Sequence, residues 1–452
     1  MGAPPFAAYH RRQDEAIRRV QPYPADRFAG RGIVMAAGGP RLFTNAWVTL
    51  HVLRHVVGCT LPVQLWYLGP DELSAAMIEL LRPLDVECVD ALEVRRRHPM
   101  RRLGGWECKP YAIVHSPFRE VLWLDADNAP LVDPSVLFSE PEYARTGAIF
   151  WPDLGSLPPD HPIWAVCRVP WRDEPEFESG QVVLDKARCW PALQLTLHLN
   201  AWSDVYYRYV YGDKETFHLA WRMLDAPYAM PPRRPRKAIG HWSRAPETDG
   251  GCWTLFQHDL AGREIFHHRT STGKWNLLGE SLSFAGFPFE PFCREALAEL
   301  ARRWDGRVHP PPRPSRPART EAEIAAASTF RYVRRATDER TLQLLPGGRI
   351  GAGAAAAERS WRLDRDVAGP ALVIAGDYGV ICRLRLDEDG VWRGRWILFE
   401  QMPIELIPLG DASAGACPGQ GSARSATTWR WSEPGVRPVR AERAVSERSC
   451  RM

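Results

Sequence analysis

The sequence predicts an α/β fold: a mixed, mostly parallel sheet flanked by helices, then a small all-β module and a disordered tail. Three observations carry this. Apolar runs alternate with segments of helical spacing over residues 31–307, the pattern of strands joined by crossover helices. The stretch His309-Pro310-Pro311-Pro312-Arg313-Pro314-Ser315-Arg316-Pro317 is dense enough in proline to act as a semi-rigid spacer. Beyond it, short alternating runs separated by glycine turns read as strands alone.

Residues 1–30 read as a loose lead-in. Gly32 to Ala37 is a first strand ending at Gly38 and Gly39, and residues 41–57 carry a helical apolar face through Leu42, Ala46, Leu50, Leu53 and Val57. Val63 to Leu68 is a second strand, Asp71 a cap for a helix reaching Arg82, and Val86 to Val89 a third strand. A helix over Cys108 to His115 leads to Val121-Leu122-Trp123-Leu124, a strand that ends at Asp125. Strands follow at Ala148–Trp151 and Gln181–Leu184, and helices at Pro191–Leu199 and Lys214–Leu224. Trp253–Gln257 and Glu264–His267 flank the turn Asp259-Leu260-Ala261-Gly262, and Pro291 to Trp304 is a closing helix. The linker spans 308–327 and the all-β module 328–410; the Ala-, Ser-, Gly-, Pro- and Arg-rich residues 411–452 predict disorder.

Composition narrows the function. With 452 residues, 45% hydrophobic and 25% charged, the chain has the balance of a globular protein of two domains. Lys and Arg number 58 against 54 Asp and Glu, and a formal charge of +4 is too mild to argue for nucleic acid. Ten cysteines show no zinc spacing and read as reduced thiols. Met1 to Arg12 has no apolar run for a signal peptide, and no stretch approaches a membrane span. A cytoplasmic protein is the expectation, with peripheral membrane contact left open. The 19 tryptophans tilt the reading only slightly toward sugar stacking, since most tryptophans are buried.

Chemistry concentrates after the fourth strand, at Asp125-Ala126-Asp127-Asn128. Two carboxylates at the end of a buried strand cost desolvation energy unless neutralised. Oxygen ligands suit Mn²⁺ or Mg²⁺, and such ions commonly hold a substrate diphosphate. Short acidic pairs at turns are also common without a metal. Four further clusters bear on the choice. Lys109 lies in Trp106-Glu107-Cys108-Lys109, where it is either a site cation or a solvated helix residue. Glu178 precedes Ser179-Gly180-Gln181 in a loop entering a strand, as a tuned carboxylate or an ordinary turn residue. Asp213 opens a helix and is either its cap or a catalytic group. His267 and His268 point to opposite sides of a strand, so at most one faces the acidic pair.

The order of these landmarks resembles a known family. Trp106 to Lys109, Leu124 to Asn128, Trp151-Pro152-Asp153, Glu178-Ser179-Gly180-Gln181, Gly212-Asp213-Lys214-Glu215-Thr216-Phe217 and Phe266-His267-His268-Arg269 succeed one another as in the fungal Golgi α-mannosyltransferases that build mannan side chains, glycosyltransferase family 71. The likeness covers about residues 30–305. It implies a Rossmann-like GT-A domain, a nucleotide-sugar donor, a Mn²⁺-type cation and retention of anomeric configuration. GDP-mannose is the favoured donor, a UDP-hexose an alternative, and the acceptor a glycan that is free, lipid-linked or protein-linked. By this resemblance Asp125, Asp127 and His268 hold the metal. Lys109, Lys274, Gln181, Gly38 and Gly39 line the donor side, with Asp125 also reaching the ribose. Asp213 and Glu178 are the candidate catalytic carboxylates, and Trp151, Asp153 and Trp275 wall the sugar pockets. The chain departs from the family in having no recognisable N-terminal anchor and in adding the β module.

Two competitors are weaker. Haloacid-dehalogenase-like phosphatases also place D-x-D after a strand, but follow it with Thr or Val where this chain has Ala129. A non-catalytic glycan- or nucleotide-sugar-binding protein on the same scaffold would have little need of an intact acidic pair, histidine and Glu-Ser-Gly-Gln.

Overall fold

The computed structural model describes residues 6–242, 245–270, 273–309, 324, 329–355, 357–366, 369–376, 379–396 and 402–409. The first domain opens with β1 (Arg31–Ala36), β2 (Val63–Tyr67), β3 (Val86–Asp90), β4 (Glu120–Leu124), β5 (Asn128–Pro130), β6 (Ala148–Pro152) and β7 (Phe177–Asp185). Six of them form the main sheet in the order β3-β2-β1-β4-β7-β6. β1 to β4 run parallel, and β7 is inserted antiparallel between β4 and β6. Both faces are covered, because alternate residues feed separate cores. Ile33, Met35, Leu122 and Leu124 enter one; Val34, Val121 and Trp123 enter the other. This is the mixed α/β sheet expected of a GT-A domain.

β5 leaves that sheet for a second one. With β8 (Arg236–Trp242), β9 (Ala245–His258), β10 (Glu264–His268) and β11 (Ser283–Phe284), its order is β11-β8-β9-β10-β5. β9 and β10 are antiparallel, and their turn closes through Asp259 N–H to the Arg263 carbonyl at 2.7 Å, with Gly262 at φ +83°. β5 begins at the last residue of the Asp125–Asn128 turn and pairs with β10, which sets His268 opposite Asn128. One strand thus joins the acidic turn to the histidine far along the chain.

The all-β module is a closed barrel of eight strands among the described residues: β12 (Thr329–Arg334), β13 (Asp338–Leu345), β14 (Arg349–Ile350), β15 (Ser360–Asp366), β16 (Gly369–Gly376), β17 (Gly379–Leu386), β18 (Trp392–Trp396) and β19 (Pro403–Pro408). β19 pairs back onto β12, so no edge is left open. Phe330, Tyr332, Leu342, Leu344, Leu372, Ile374 and Trp392 fill the interior. The barrel is tied to the first domain by an Arg307–Glu405 ion pair and by Ala336 N–H to the Gly306 carbonyl at 3.0 Å.

Beyond strands and short helices that the sequence reading did not name, such as β5, β8 and β15, the structure differs from it at three places. Ala7–Arg18, expected to be loose, is a helix that packs Tyr9, Ala16 and Ile17 against the domain and buries Gln13, whose amide donates to the Val166 carbonyl at 3.0 Å. The helix after β2 starts at Ala75 with Ser74 as N-cap, because Asp71 lies in an earlier turn. Glu178 lies inside β7 rather than in a loop, since pairing with β6 extends the strand back to Phe177. Most of the 308–327 linker and all of the 411–452 tail lie outside the described residues. No helix among the described residues is long and apolar enough to cross a membrane.

Candidate active site

The acidic turn is held at the carboxyl edge of the main sheet. Asp125 N–H donates to the Gly180 carbonyl on β7 at 2.8 Å, and Asn128 N–H closes the turn on the Asp125 carbonyl at 3.0 Å. The Asp125 carboxylate accepts the Trp123 indole N–H at 2.6 Å and lies 3.2 Å from Lys109 Nζ. Burial alone would push its carboxyl up, but Lys109, His268 and the Trp123 bond outweigh burial and hold it below the usual range. Asp127 is buried and ion-paired with Lys274. Burial, with Arg41 adding to it, pulls Lys274 down to about 7.

His268 bridges two sets of carboxylates. Its Nε2 lies 3.4 Å from Asp127 Oδ1 and 3.9 Å from Asp125 Oδ2, while Nδ1 faces Glu178 Oε1 at 3.2 Å. Burial opposes its protonation, but Glu178 and Asp125 win and the imidazole pKa is raised. Glu178 is fixed in turn by the Gly180 N–H at 3.0 Å and by the Gln181 amide at 3.3 Å. Gly180 has no alternative, since a Cβ there would sit 2.6 Å from His268 Nδ1. His267, one residue back, points the other way and stacks on Phe256 and Phe287 with centroids 4.4 and 4.3 Å apart. Burial keeps it neutral, so only one histidine of the pair serves the site.

Asp213 joins this cluster through Lys109. Its side chain makes no cap bond; the cap of Lys214–Met223 is the Asp213 carbonyl, which accepts Thr216 N–H at 2.9 Å. The freed carboxylate accepts the Ser179 hydroxyl at 3.1 Å and pairs with Lys109 Nζ at 3.2 Å. Lys109 donates as well to the Ser179 carbonyl and hydroxyl, at 2.7 and 2.8 Å. Burial pushes the Asp213 carboxyl up in spite of Lys109. The Asp213 side chain is therefore not the cap of this helix.

The other expected residues divide. Gly38 and Gly39 lie beyond the end of β1 and open the helix Gly39–His51; a Gly38 Cβ would collide with the Glu72 carboxylate, and Gly39 takes φ +74°. Gln181 is buried and hydrogen-bonded to Asn128 and Glu178, so it props the Glu178 carboxylate. Asp153 pairs with Lys214 at 2.8 Å, one residue from Asp213. Trp151 and Trp275 do not wall a pocket. Trp151 is fully buried with its indole on the His258 carbonyl at 2.8 Å, and Trp275 lies under the Arg269 guanidinium at 3.5 Å. Sequence reasoning missed the roles of Gly180, Ser179 and Asn128; the only signal was a glycine inside an otherwise unbroken strand.

Four carboxylates, Asp125, Asp127, Glu178 and Asp213, thus converge with two ammonium groups and one imidazole. One donor atom each from Asp125, Asp127 and His268 lies within 4.8 Å of the others. A carboxylate–carboxylate–imidazole set in a site of negative balance fits a divalent cation of the Mn²⁺ or Mg²⁺ class, and the Glu178 contact is the usual partner of a ligating histidine.

A mannosyltransferase family model, Mannosyl_trans3, matches residues 30–161 and 172–268, which hold every residue of this cluster except Lys274. Curated relatives include the α-1,2-mannosyltransferase MNN2 of Saccharomyces cerevisiae, 25% identical over 242 residues, or 43% of this chain and 40% of that protein. The α-1,2-mannosyltransferase MNN24 of Candida albicans is 25% identical over 44% of this chain and 34% of its own length. The match thus spans less than half the length of these relatives. Among solved structures, the chain resembles apo mouse xyloside xylosyltransferase 1, with 16% identity and a TM-score of 0.32 over 44% of this chain and 84% of that one. It also resembles the galactosyltransferase LgtC in complex with donor and acceptor sugar analogues, with 13% identity and a TM-score of 0.31 over 44% and 73%. At such scores these two likenesses carry no argument about chemistry. The family match covers half of the chain and all three candidate metal ligands, and by it the chain belongs to the mannosyltransferase family of the fungal MNN proteins.

Proposed function

We propose that the protein is a metal-dependent retaining glycosyltransferase that moves a hexose, with mannose favoured, from a nucleotide-diphosphate sugar to a hydroxyl of a glycan. GDP-mannose is the favoured donor, ahead of a UDP-hexose. The observation that carries the reading is the convergence of Asp125, Asp127 and His268 beside a carboxylate, Asp213, that is free of its helix. Asp125, Asp127 and His268 would hold Mn²⁺ or Mg²⁺, which supplies Lewis-acid neutralisation of the leaving diphosphate.

The protein groups do the rest. The bond from the anomeric carbon to the phosphate oxygen breaks with its electron pair on the diphosphate, and the bond to the acceptor oxygen forms. The acceptor proton passes to a diphosphate oxygen, so no separate strong base is needed. Positive charge grows on the sugar ring, as in glycoside hydrolysis, and Asp213 stabilises it. Lys109 holds Asp213 in place and balances it before the donor arrives. Glu178 fixes the His268 ring so that Nε2 faces the acidic pair. Because Glu178 is engaged by His268 and the Gly180 N–H, it acts as a positioning residue and Asp213 faces the sugar.

The test is a screen of nucleotide sugars with Mn²⁺, read as nucleoside diphosphate release and as thermal shift. Release from one donor, lost on chelation, supports the proposal. Binding without release from any donor would make the protein a sugar-nucleotide binder.

A further inference from the structure

We propose that Trp106 and Tyr211 form the stacking platform for the ring of the acceptor sugar, next to Asp213. This rests on the glycosyl-transfer reading and names a subsite within it. With Trp151 and Trp275 in the core, the aromatic walls of a sugar site must come from elsewhere. Tyr211 is 50% exposed, one of the few large aromatic side chains so open among the described residues. Its ring centroid lies 5.3 Å from that of Trp106, inclined at 54°, and the Tyr207 ring lies 6.0 Å from Trp106 at 67°.

Two short stretches of backbone tie this pair to the reacting carboxylate. Gly212 takes φ +71° and lies so close to Trp106 that a Cβ would sit 2.9 Å from the indole. Asp213 is the next residue. From the other side, Trp106 leads in three residues to Lys109, whose ammonium touches the Asp213 carboxylate at 3.2 Å. A ring resting on Trp106 and Tyr211 therefore adjoins Asp213.

The polar chemistry also suits a sugar. The carboxylates next along the chain to the two rings are Glu107, partly buried, and Asp213. Pyranose rings present apolar C–H faces to aromatic rings and hydroxyls to flanking carboxylates. The donor diphosphate belongs at Asp125, Asp127 and His268, so a platform attached through Asp213 meets the acceptor.

The experiment compares wild type, Tyr211→Ala and Tyr211→Phe in the full chain. It measures acceptor and donor KM with GDP-mannose, Mn²⁺ and α-linked mannobiose, and saturation-transfer NMR of mannobiose without donor. Tyr211→Ala should raise acceptor KM about tenfold and abolish the mannobiose NMR signal while donor KM moves less than twofold. Tyr211→Phe should restore both. Trp106→Phe, which keeps a ring against Gly212, should give an intermediate acceptor KM. Unchanged acceptor KM and NMR signal in Tyr211→Ala overturn the platform, as does an absence of mannobiose binding to wild type. Should wild type turn over no donor, the transferase reading fails by itself; the NMR comparison then decides the subsite alone.

Discussion

The acidic cluster and the barrel both bury charge, and they give it different partners. In the barrel, both oxygens of the buried Glu358 accept from Arg340 Nη2, at 2.6 and 2.7 Å, while Nη1 pairs with Asp338, and the guanidinium lies over Tyr332 at 3.9 Å. There the carboxylates are met by guanidinium groups, Arg340 for Glu358 and Asp338, and Arg307 and Arg393 for Glu405. In the acidic cluster the shared partners are an ammonium and an imidazole: Lys109 serves Asp125 and Asp213, and His268 serves Asp125, Asp127 and Glu178. Guanidinium partners hold a fixed charge within a core, whereas carboxylates gathered with an imidazole are poised to take up an outside cation. Buried charge by itself does not mark a site; the kind of partner does.

The largest effect should follow from removing a carboxylate of the acidic cluster. Asp127→Ala is expected to lower Mn²⁺-dependent donor turnover about a thousandfold with the melting temperature nearly unchanged, read by diphosphate release and calorimetry. Near-normal turnover would remove the contrast with the barrel. Asp213→Asn should cost about a hundredfold in transfer while donor affinity, measured by titration calorimetry, stays within about threefold. A variant that loses only thermal stability would return Asp213 to the class of structural residues.

Breaking the barrel pair should act on folding. Arg340→Met strands Glu358 and should destabilise the module by about 3–5 kcal/mol, measured by urea unfolding, with Mn²⁺ affinity of the first domain retained. Gly180→Ala tests the fixed geometry of the acidic cluster: the new Cβ displaces His268 or Glu178, and Mn²⁺ affinity should fall about tenfold.

The smallest effect concerns His218, buried between Glu174 and Glu215 at 3.2 Å from each and stacked on Phe177 at the start of β7. Burial opposes its charge, but the two carboxylates prevail, so its folded pKa lies above the ordinary 6.5. A raised folded pKa means that the stabilisation is complete below about pH 6.5 and is lost as pH rises through the folded value. Stability of wild type relative to His218→Gln should therefore decline on going from pH 6 to pH 9. A constant difference across that range would show that His218 is held neutral.

Much of the fold was legible in the chain. Apolar runs at Val121–Leu124 and Val182–Leu184 can satisfy their backbones only in a covered sheet, and the proline stretch separates two styles of patterning. The acidic pair, the histidine and Asp213 were legible as residue types in an order shared with a family. Illegible were the features set by contacts between distant segments. The N-terminal helix has a weak apolar stripe, and its place depends on Val166 and Tyr206. The two tryptophans expected at the pocket are residues whose chemistry suits either sugar or core, and only packing assigns them to the core.

The sequence by itself determined most strands of the main sheet, the all-β pattern of the module and the list of groups able to bind a metal, because periodicity and residue chemistry are local properties. The tertiary structure alone decided which way each group faces. β5 leaves the main sheet to pair with β10, and this puts His268, rather than His267, against Asp127. Lys109 draws Asp213 away from its helix cap into the acidic cluster. The physical reason is that a strand's two faces and a carboxylate's two candidate partners are nearly equivalent in isolation. Long-range pairing and burial make one of them the better.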